Sequence, residues 1–214
     1  MELIVNDLVH TCKFIGELAA EGELVYAINE TTYAGNEDWK LDLAMGPPMH
    51  PLMKPGPMQI ARAKPASVWI AVEAKTIMTK HTGARKNRRR DIGAFRDFMD
   101  NYETRAVRGT IAVVNMAKQF KSQLVGKKVT PHPDIERIVE EIAAMYRNVP
   151  LRSVEGERGT VDANCIIVVD YDNIDLNRTA LVTRKPAPQE GDPLHYLNFL
   201  RRICDSFERR WRSR

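Results

Sequence analysis

Apolar side chains recur at helical spacing near the start of the chain and at strand spacing soon after it. An amphipathic helix is predicted over residues 3–20 by four apolar residues three or four positions apart, Leu8, Cys12, Ile15 and Ala19. Strand-forming runs at 24–28 and 68–76 and an alternating segment at 39–43 predict three strands. The turn residues Gly35 and Asn36 lie between the first two of these strands.

The rest of the chain alternates between helical and extended patterns. Residues 83–105 and 132–146 read as amphipathic helices, each followed by a strand, at 110–114 and 165–169, and residues 193–211 form a last helix. The run at 165–169 is continuously apolar, as in a strand buried on both faces. This order predicts an α/β fold with a mixed β-sheet flanked by helices on both faces.

A long segment interrupts this pattern between the second and third predicted strands. Residues 45–67 hold six of the 12 prolines and four of the nine methionines, which excludes a continuous helix or a central strand. The length of 214 residues predicts one domain over 1–214, with 45–67 as an excursion from it. A functional loop, a dimer contact and a disordered surface segment all fit this composition.

Composition excludes several classes of protein. Hydrophobic residues make up 43% of the chain and charged residues 28%, which is typical of a globular domain rather than a disordered one. No apolar run reaches the length of a membrane span, and the acidic N-terminus does not resemble a signal peptide, so we expect a cytoplasmic protein with no membrane partner. Three widely separated cysteines, Cys12, Cys165 and Cys204, are expected to be reduced and mostly buried.

Charge is unevenly distributed along the chain. Residues 1–48 hold nine acids against two lysines, a net charge of −7, whereas the remainder carries +11, which gives +4 in total. The basic part favours a polyanionic partner. The acidic part fits either a metal site or a solvated helix face.

Two predicted strands carry acidic residues that can meet. Glu73 and Lys75 end the apolar strand 68–76, and the two-residue period of a strand points both to one side. If strand 39–43 pairs with it in antiparallel fashion, Asp42 comes near Glu73. Two carboxylates are a typical ligand set for Mg²⁺, which also binds substrate phosphate and keeps several waters.

This arrangement resembles the PD-(D/E)xK nuclease superfamily, which includes many restriction endonucleases. The resemblance covers roughly residues 3–115 and rests on Asp42, the connection of about thirty residues, and Glu73-Ala74-Lys75 at a strand end. Leu41 stands where the pattern has proline. The resemblance implies a restriction-endonuclease-like core and Mg²⁺-dependent phosphodiester hydrolysis, with catalytic Asp42, Glu73 and Lys75.

In that family the metal is held by carboxylates, here Asp42 and Glu73, and a carboxylate of the first helix often completes its shell. Glu17 is the first candidate for that third ligand and Glu21 the second, since the two are four residues apart on one helical face. Asp38 shares the strand parity of Asp42 and would replace it if the register differed by four.

A strongly basic segment follows the third strand. Residues 80–90 carry six cations and no acid, and this segment is the predicted DNA-binding surface, comprising Lys80, His81, Arg85, Lys86, Arg88, Arg89 and Arg90. Such a run is suited to a phosphate backbone, and a solvated charge run is the alternative.

The sequence therefore predicts a Mg²⁺-dependent endonuclease acting on double-stranded DNA, of the type II restriction enzyme kind. A homodimer would supply two active sites for two strands. The alternative is a DNA-binding or assembly module that has the same fold without turnover. An RNA-binding protein is disfavoured because the 7% of aromatic residues are scattered rather than interleaved with the basic ones.

Overall fold

The chain forms a mixed α/β structure. The computed structural model describes residues 1–79, 81–122, 128–175 and 179–212. The described part contains five helices, α1 (Glu2–Thr11), α2 (Lys13–Ala20), α3 (His81–Tyr102), α4 (Ile135–Arg147) and α5 (Tyr196–Trp211). Its strands are β1 (Val25–Ala34), β2 (Glu37–Gly46), β3 (Ala61–Arg62), β4 (Ile70–Ile77), β5 (Val107–Asn115), β6 (Gln119–Lys121), β7 (Val129–Pro131), β8 (Ala163–Asp170) and β9 (Ala180–Leu181).

Seven of these strands form one mixed sheet, in the order β3-β1-β2-β4-β5-β8-β9. The central strands β4, β5 and β8 run parallel to one another, and β2 pairs antiparallel with both β1 and β4. A separate antiparallel hairpin is made by β6 and β7. The mixed sheet predicted from the sequence is therefore present.

Helices cover both faces of this sheet. On one face α1, α2 and α5 pack on alternate residues of the central strands, such as Ile70, Val72 and Ile111. On the other face α3 and α4 pack on the intervening residues, such as Ala71, Ala112 and Val114. The two-residue alternation of the strands separates the two layers, as expected for a sheet buried on both sides.

The first helix differs from its prediction. It is divided into α1 and α2 at Cys12, whose extended backbone (φ −107°, ψ 103°) breaks the helical path. The expected buried positions Leu8, Ile15 and Ala19 are all fully buried. The apolar spacing therefore located the buried face, although not the break.

The expectation of three reduced cysteines was wrong. Cys12 and Cys204 form a disulfide that joins the α1–α2 junction to α5, and Cys165 is a free, buried thiol. The two partners are 192 residues apart in sequence, so only the tertiary fold brings them together. Burial raises the pKa of the Cys165 thiol.

A buried charge network joins α3, β5, the segment before β8 and α5. Three guanidinium groups (Arg108, Arg152 and Arg210) lie with two carboxylates (Asp100 and Asp162), and none of the five residues is more than 7% exposed. Asp162 pairs with Arg210 and Arg152 and accepts the backbone N–H of Arg108 at 2.8 Å, while Asp100 pairs with Arg108. Burial lowers the pKa of Arg152 to about 10, against the opposing effect of Asp162.

The proline-rich excursion at 45–67 returns to the sheet edge. Its short strand β3 pairs with β1, and an isolated bridge links Pro48 to Pro65. At its start Gly46 lies so close to Ser67 that an added Cβ would be 1.8 Å from the Ser67 carbonyl oxygen. This close approach requires glycine.

Within the described residues, none of the helices has the length and apolar character needed to cross a membrane.

Candidate active site

The register between β2 and β4 brings the predicted acidic residues together. Leu43 pairs with Val72, Ala44 with Ala71 and Met45 with Ile70, so Asp42 and Glu73 come next on the two strands. The antiparallel pairing expected from the sequence is therefore present. Asp38, the alternative to Asp42, is exposed and pairs with Tyr33 of β1 instead.

Asp42 lies where β2 leaves the regular sheet. Its neighbours Leu41 and Leu43 pack on opposite faces, although strand alternation would place them on the same face. On the β1 side, Ile28 pairs with Leu43 and Glu30 pairs with Leu41, but Asn29 and Asp42 between them are not paired. Asn29 has a left-handed backbone with φ 57°. We call this point, Asp42 with Asn29, the β2 seam.

At the β2 seam, β2 is hydrogen-bonded to β4 through the side chain of Asp42. Its Oδ2 accepts the N–H of Ala74 at 2.8 Å. Among the described residues its Oδ1 has no hydrogen-bond donor, so this oxygen is available to a ligand. Because the carboxylate is held by the neighbouring strand, its orientation is fixed by β4 itself.

Glu73 is almost completely buried, with 2% of its side chain exposed. Its Oε1 pairs with the Lys75 ammonium, and its Oε2 accepts the Trp39 indole N–H at 3.3 Å. Burial raises the pKa of Glu73 above its usual value; Lys75 opposes this shift, and the nearby Asp42 charge adds to it. Desolvation outweighs the lysine, so the ionised carboxylate is costly here without a further cation.

Lys75 connects this site to solvent, with 23% of its side chain exposed. It lies two residues beyond Glu73 on the same side of β4, as strand parity predicts. The chain leaves β4 at Ile77 and enters α3 at His81. The ammonium is therefore positioned near the strand end from which the basic helix starts.

Trp39 was not identified from the sequence as part of the site. Its ring packs against Phe95 and Phe98 of α3, with centroid distances of 6.4 and 6.0 Å, while its N–H is donated to Glu73. It therefore couples the buried carboxylate to the helix above it. A half-buried tryptophan usually needs an acceptor for its N–H, but the sequence shows neither that Trp39 is half-buried nor that Glu73 is its acceptor.

Two buried hydroxyl groups lie on the same face of the sheet as Glu73. Thr110 is the direct neighbour of Glu73 in the β4–β5 register. The Thr110 and Tyr146 hydroxyls have no hydrogen-bond partner within the described part of the chain. Burial raises the pKa of the Tyr146 phenol.

The proposed third carboxylate lies elsewhere. Glu17 is exposed on α2, which packs on the opposite face of the sheet, and its ion pair is with Lys13 at 3.7 Å. Glu21 is exposed and pairs with Lys54. Among the described residues, the only group of three acidic, histidine or cysteine side chains close enough to hold one ion is Cys12, Cys204 and Glu208, two of which form the disulfide.

The predicted DNA-binding residues divide into two groups on α3. Lys86, Arg89 and Arg90 are exposed. Arg85 pairs with Glu141 of α4, and Arg88 pairs with Asp91 at 2.6 Å. Lys80 and the side chain of His81 lie outside the described residues.

Asp42 and Glu73 have the chemistry of a hard-cation site. The two side chains offer only carboxylate oxygens as metal ligands, and Mg²⁺ prefers oxygen ligands. A carboxylate offers about four lone-pair positions, so the contacts with Ala74, Trp39 and Lys75 leave positions for an ion. The residues therefore fit a divalent cation held by two protein carboxylates.

Comparisons of the chain with protein-family models, with curated proteins and with solved structures found no match.

Proposed function

We propose that this protein is a Mg²⁺-dependent endonuclease that hydrolyses phosphodiester bonds of double-stranded DNA, of the type II restriction enzyme kind. The single observation that carries the proposal is the convergence of Asp42, Glu73 and Lys75 at the end of β4. We further propose that the sheet with its flanking helices is a restriction-endonuclease-like core. The enzyme would act in the cytoplasm as a homodimer, with one active site for each DNA strand.

Asp42 and Glu73 are the proposed metal ligands. A bound Mg²⁺ supplies Lewis-acid activation of water and of the phosphoryl oxygen. Asp42 presents its Oδ1 while Ala74 holds its Oδ2. Glu73 presents a buried carboxylate whose ionisation a divalent cation would favour.

Lys75 is the proposed electrostatic catalyst. Its ammonium pairs with Glu73 and is partly exposed, so it can donate a hydrogen bond to a phosphate oxygen or to the attacking water. A fixed positive charge at this position stabilises the negative charge that develops on the phosphoryl oxygens. No side-chain nucleophile is required, because water is the attacking group.

Double-stranded DNA is the proposed substrate because exposed cations follow the site directly. Lys86, Arg89 and Arg90 lie on the helix that begins four residues after the end of β4. Contacts from such side chains to phosphates would position the duplex without reading its sequence.

The second candidate is a DNA-binding or assembly module without turnover. The burial of Glu73 and the distance of Glu17 from it favour this reading, because only two carboxylates are then available for a metal. Metal-dependent cleavage distinguishes the two candidates.

The test is incubation of purified protein with plasmid and phage DNA, with and without Mg²⁺. We expect discrete fragments from the wild type only with Mg²⁺, and none from Glu73→Ala or Lys75→Ala. Asp38→Ala is the matched control, because this exposed carboxylate on β2 lies away from β4 and its loss should leave cleavage intact. Binding without cleavage under Mg²⁺ or Mn²⁺ would reject the catalytic proposal in favour of the module.

A further inference from the structure

A groove between α3 and α4 has a volume of about 670 Å³ and a mixed basic and apolar lining. Its cations are Arg85, Lys86, Arg89 and Arg96, all from α3. The α4 side and the segment after it supply an apolar wall that includes Ala144, Met145, Val149 and Pro150. Glu141 is the one acidic residue that lines the groove.

Most of the positive charge in the groove is uncompensated. Within the described ranges, Lys86, Arg89 and Arg96 form no ion pair. An anionic ligand in the groove would pair with cations that the described residues leave without a counter-charge.

Glu141 indicates where an anion is accepted. Its two oxygens each take one guanidinium, Oε2 that of Arg85 and Oε1 that of Arg137. A carboxylate between two arginines has the geometry that a phosphate would adopt. The negative charge of the same carboxylate reduces the positive electrostatic potential of the groove, and so its attraction for a polyanion.

We propose that the α3–α4 groove binds the sugar–phosphate backbone of duplex DNA beside the cleaved bond, an assignment that rests on the proposed function for its choice of DNA. The cations from Arg85 to Arg96 extend along about 16 Å of helix. This length matches roughly five nucleotide steps of one strand. The apolar wall suits deoxyribose, and α3 starts at the strand end that holds Lys75.

The groove is tested by duplex binding in EDTA, where no cleavage occurs, with a duplex long enough to cover both active site and groove. Affinity is measured by fluorescence anisotropy from about 50 to about 200 mM salt. Arg89→Gln and Arg96→Gln should each weaken binding and reduce the slope of log K against log salt by about one. Glu141→Gln should tighten binding, because it removes the competing carboxylate.

The matched control is Arg209→Gln, an exposed arginine on α5 on the opposite face of the sheet. It should leave both affinity and salt slope unchanged. The groove proposal is overturned if the slopes of Arg89→Gln and Arg96→Gln equal that of the wild type, if Arg209→Gln lowers the slope equally, or if the wild type binds no duplex. Thermal melts of all variants establish that they are folded.

The outcomes separate this proposal from the catalytic one. Cleavage by the wild type, with no change in the salt slope of the groove variants, would support the nuclease proposal and reject the groove proposal. Changes in the salt slope in EDTA, without any Mg²⁺-dependent cleavage, would support the groove proposal and reject the nuclease proposal.

Discussion

The buried charge network should be the most sensitive electrostatic element of the fold, and Asp162→Asn tests it. The substitution preserves size but removes the charge that faces Arg210 and Arg152, which are 7% exposed each. It also replaces one acceptor oxygen by an amide NH2 group, which can only donate and so cannot accept from a guanidinium. Removing one partner from a buried ion pair costs about 3–5 kcal/mol, because the other charge is left buried.

That cost is a large part of the total, since domains of this kind unfold with about 5–15 kcal/mol. For a chain of this size each kcal/mol lowers the Tm by about 2–4 °C, so we expect a decrease of about 6–20 °C.

Urea and thermal unfolding followed by circular dichroism measure the effect, with Asp205→Asn as the control. Asp205 is an exposed acid on α5, and its substitution should change the free energy of unfolding by less than about 0.5 kcal/mol. An Asp162→Asn variant within about 1 kcal/mol of this control, with an unchanged urea m-value, would refute the reasoning. The charge of Asp162 would then be dispensable for the stability of the fold.

Two further predictions concern the buried carboxylate of the site and two glycines, Gly46 at the end of β2 and Gly83 in α3. In EDTA, Glu73→Gln should raise the free energy of unfolding at pH 7. The pKa of Glu73 is higher in the folded chain than its usual 4.5, so ionisation of this carboxylate destabilises the fold as the pH rises from 4.5 through the raised pKa. The gain in stability from the glutamine should therefore vanish at pH values below 4.5. A pH series of thermal melts checks this, and an equal gain at acidic pH would contradict it. Gly46→Ala should destabilise the fold by about 1–3 kcal/mol, because the added methyl group clashes with Ser67. Gly83→Ala, which has open space around it on α3, should stabilise the fold by about 0.5–1 kcal/mol. Matched urea titrations compare the two variants, and a change in the free energy of unfolding with the same sign in both would contradict the argument.

Elements with a long periodic pattern could be predicted from the sequence. The apolar stripe of α4 and the continuous run of β8 each gave the correct element, because their burial depends on many positions at once. The two-residue strands β3 and β9 and the β6–β7 hairpin had no such pattern. Their pairing depends on the position of the sheet edge or of a neighbouring loop, which local sequence does not encode.

The core of the candidate site was also accessible from the sequence. Strand parity and an antiparallel pairing were sufficient to bring Asp42 to Glu73. The contact of Trp39 with Glu73 was not accessible, because it depends on how α3 packs over the sheet.

Three residues that the sequence assigned to the metal site or to the DNA-binding surface show what helical spacing can and cannot predict. Periodicity identifies the apolar side of a helix but not the face of the sheet that it covers, so the position of Glu17 could not be derived. The pairing of Arg88 with Asp91 is local and could have been read from their three-residue spacing. The pairing of Arg85 with Glu141 joins two helices and could not.

The β2 seam has a mechanical consequence. The arm formed by residues 30–41 is joined to the sheet centre through Asn29 and Asp42, where the β1–β2 pairing skips one residue pair and the β2–β4 pairing has ended at Leu43. Such a joint bends more easily than the ladders on either side of it. Trp39 already ties the arm to Glu73 of β4, and a ligand that bridges Asp42 and Glu73 would add a second tie, so occupancy of the site and stiffening of the arm are thermodynamically linked.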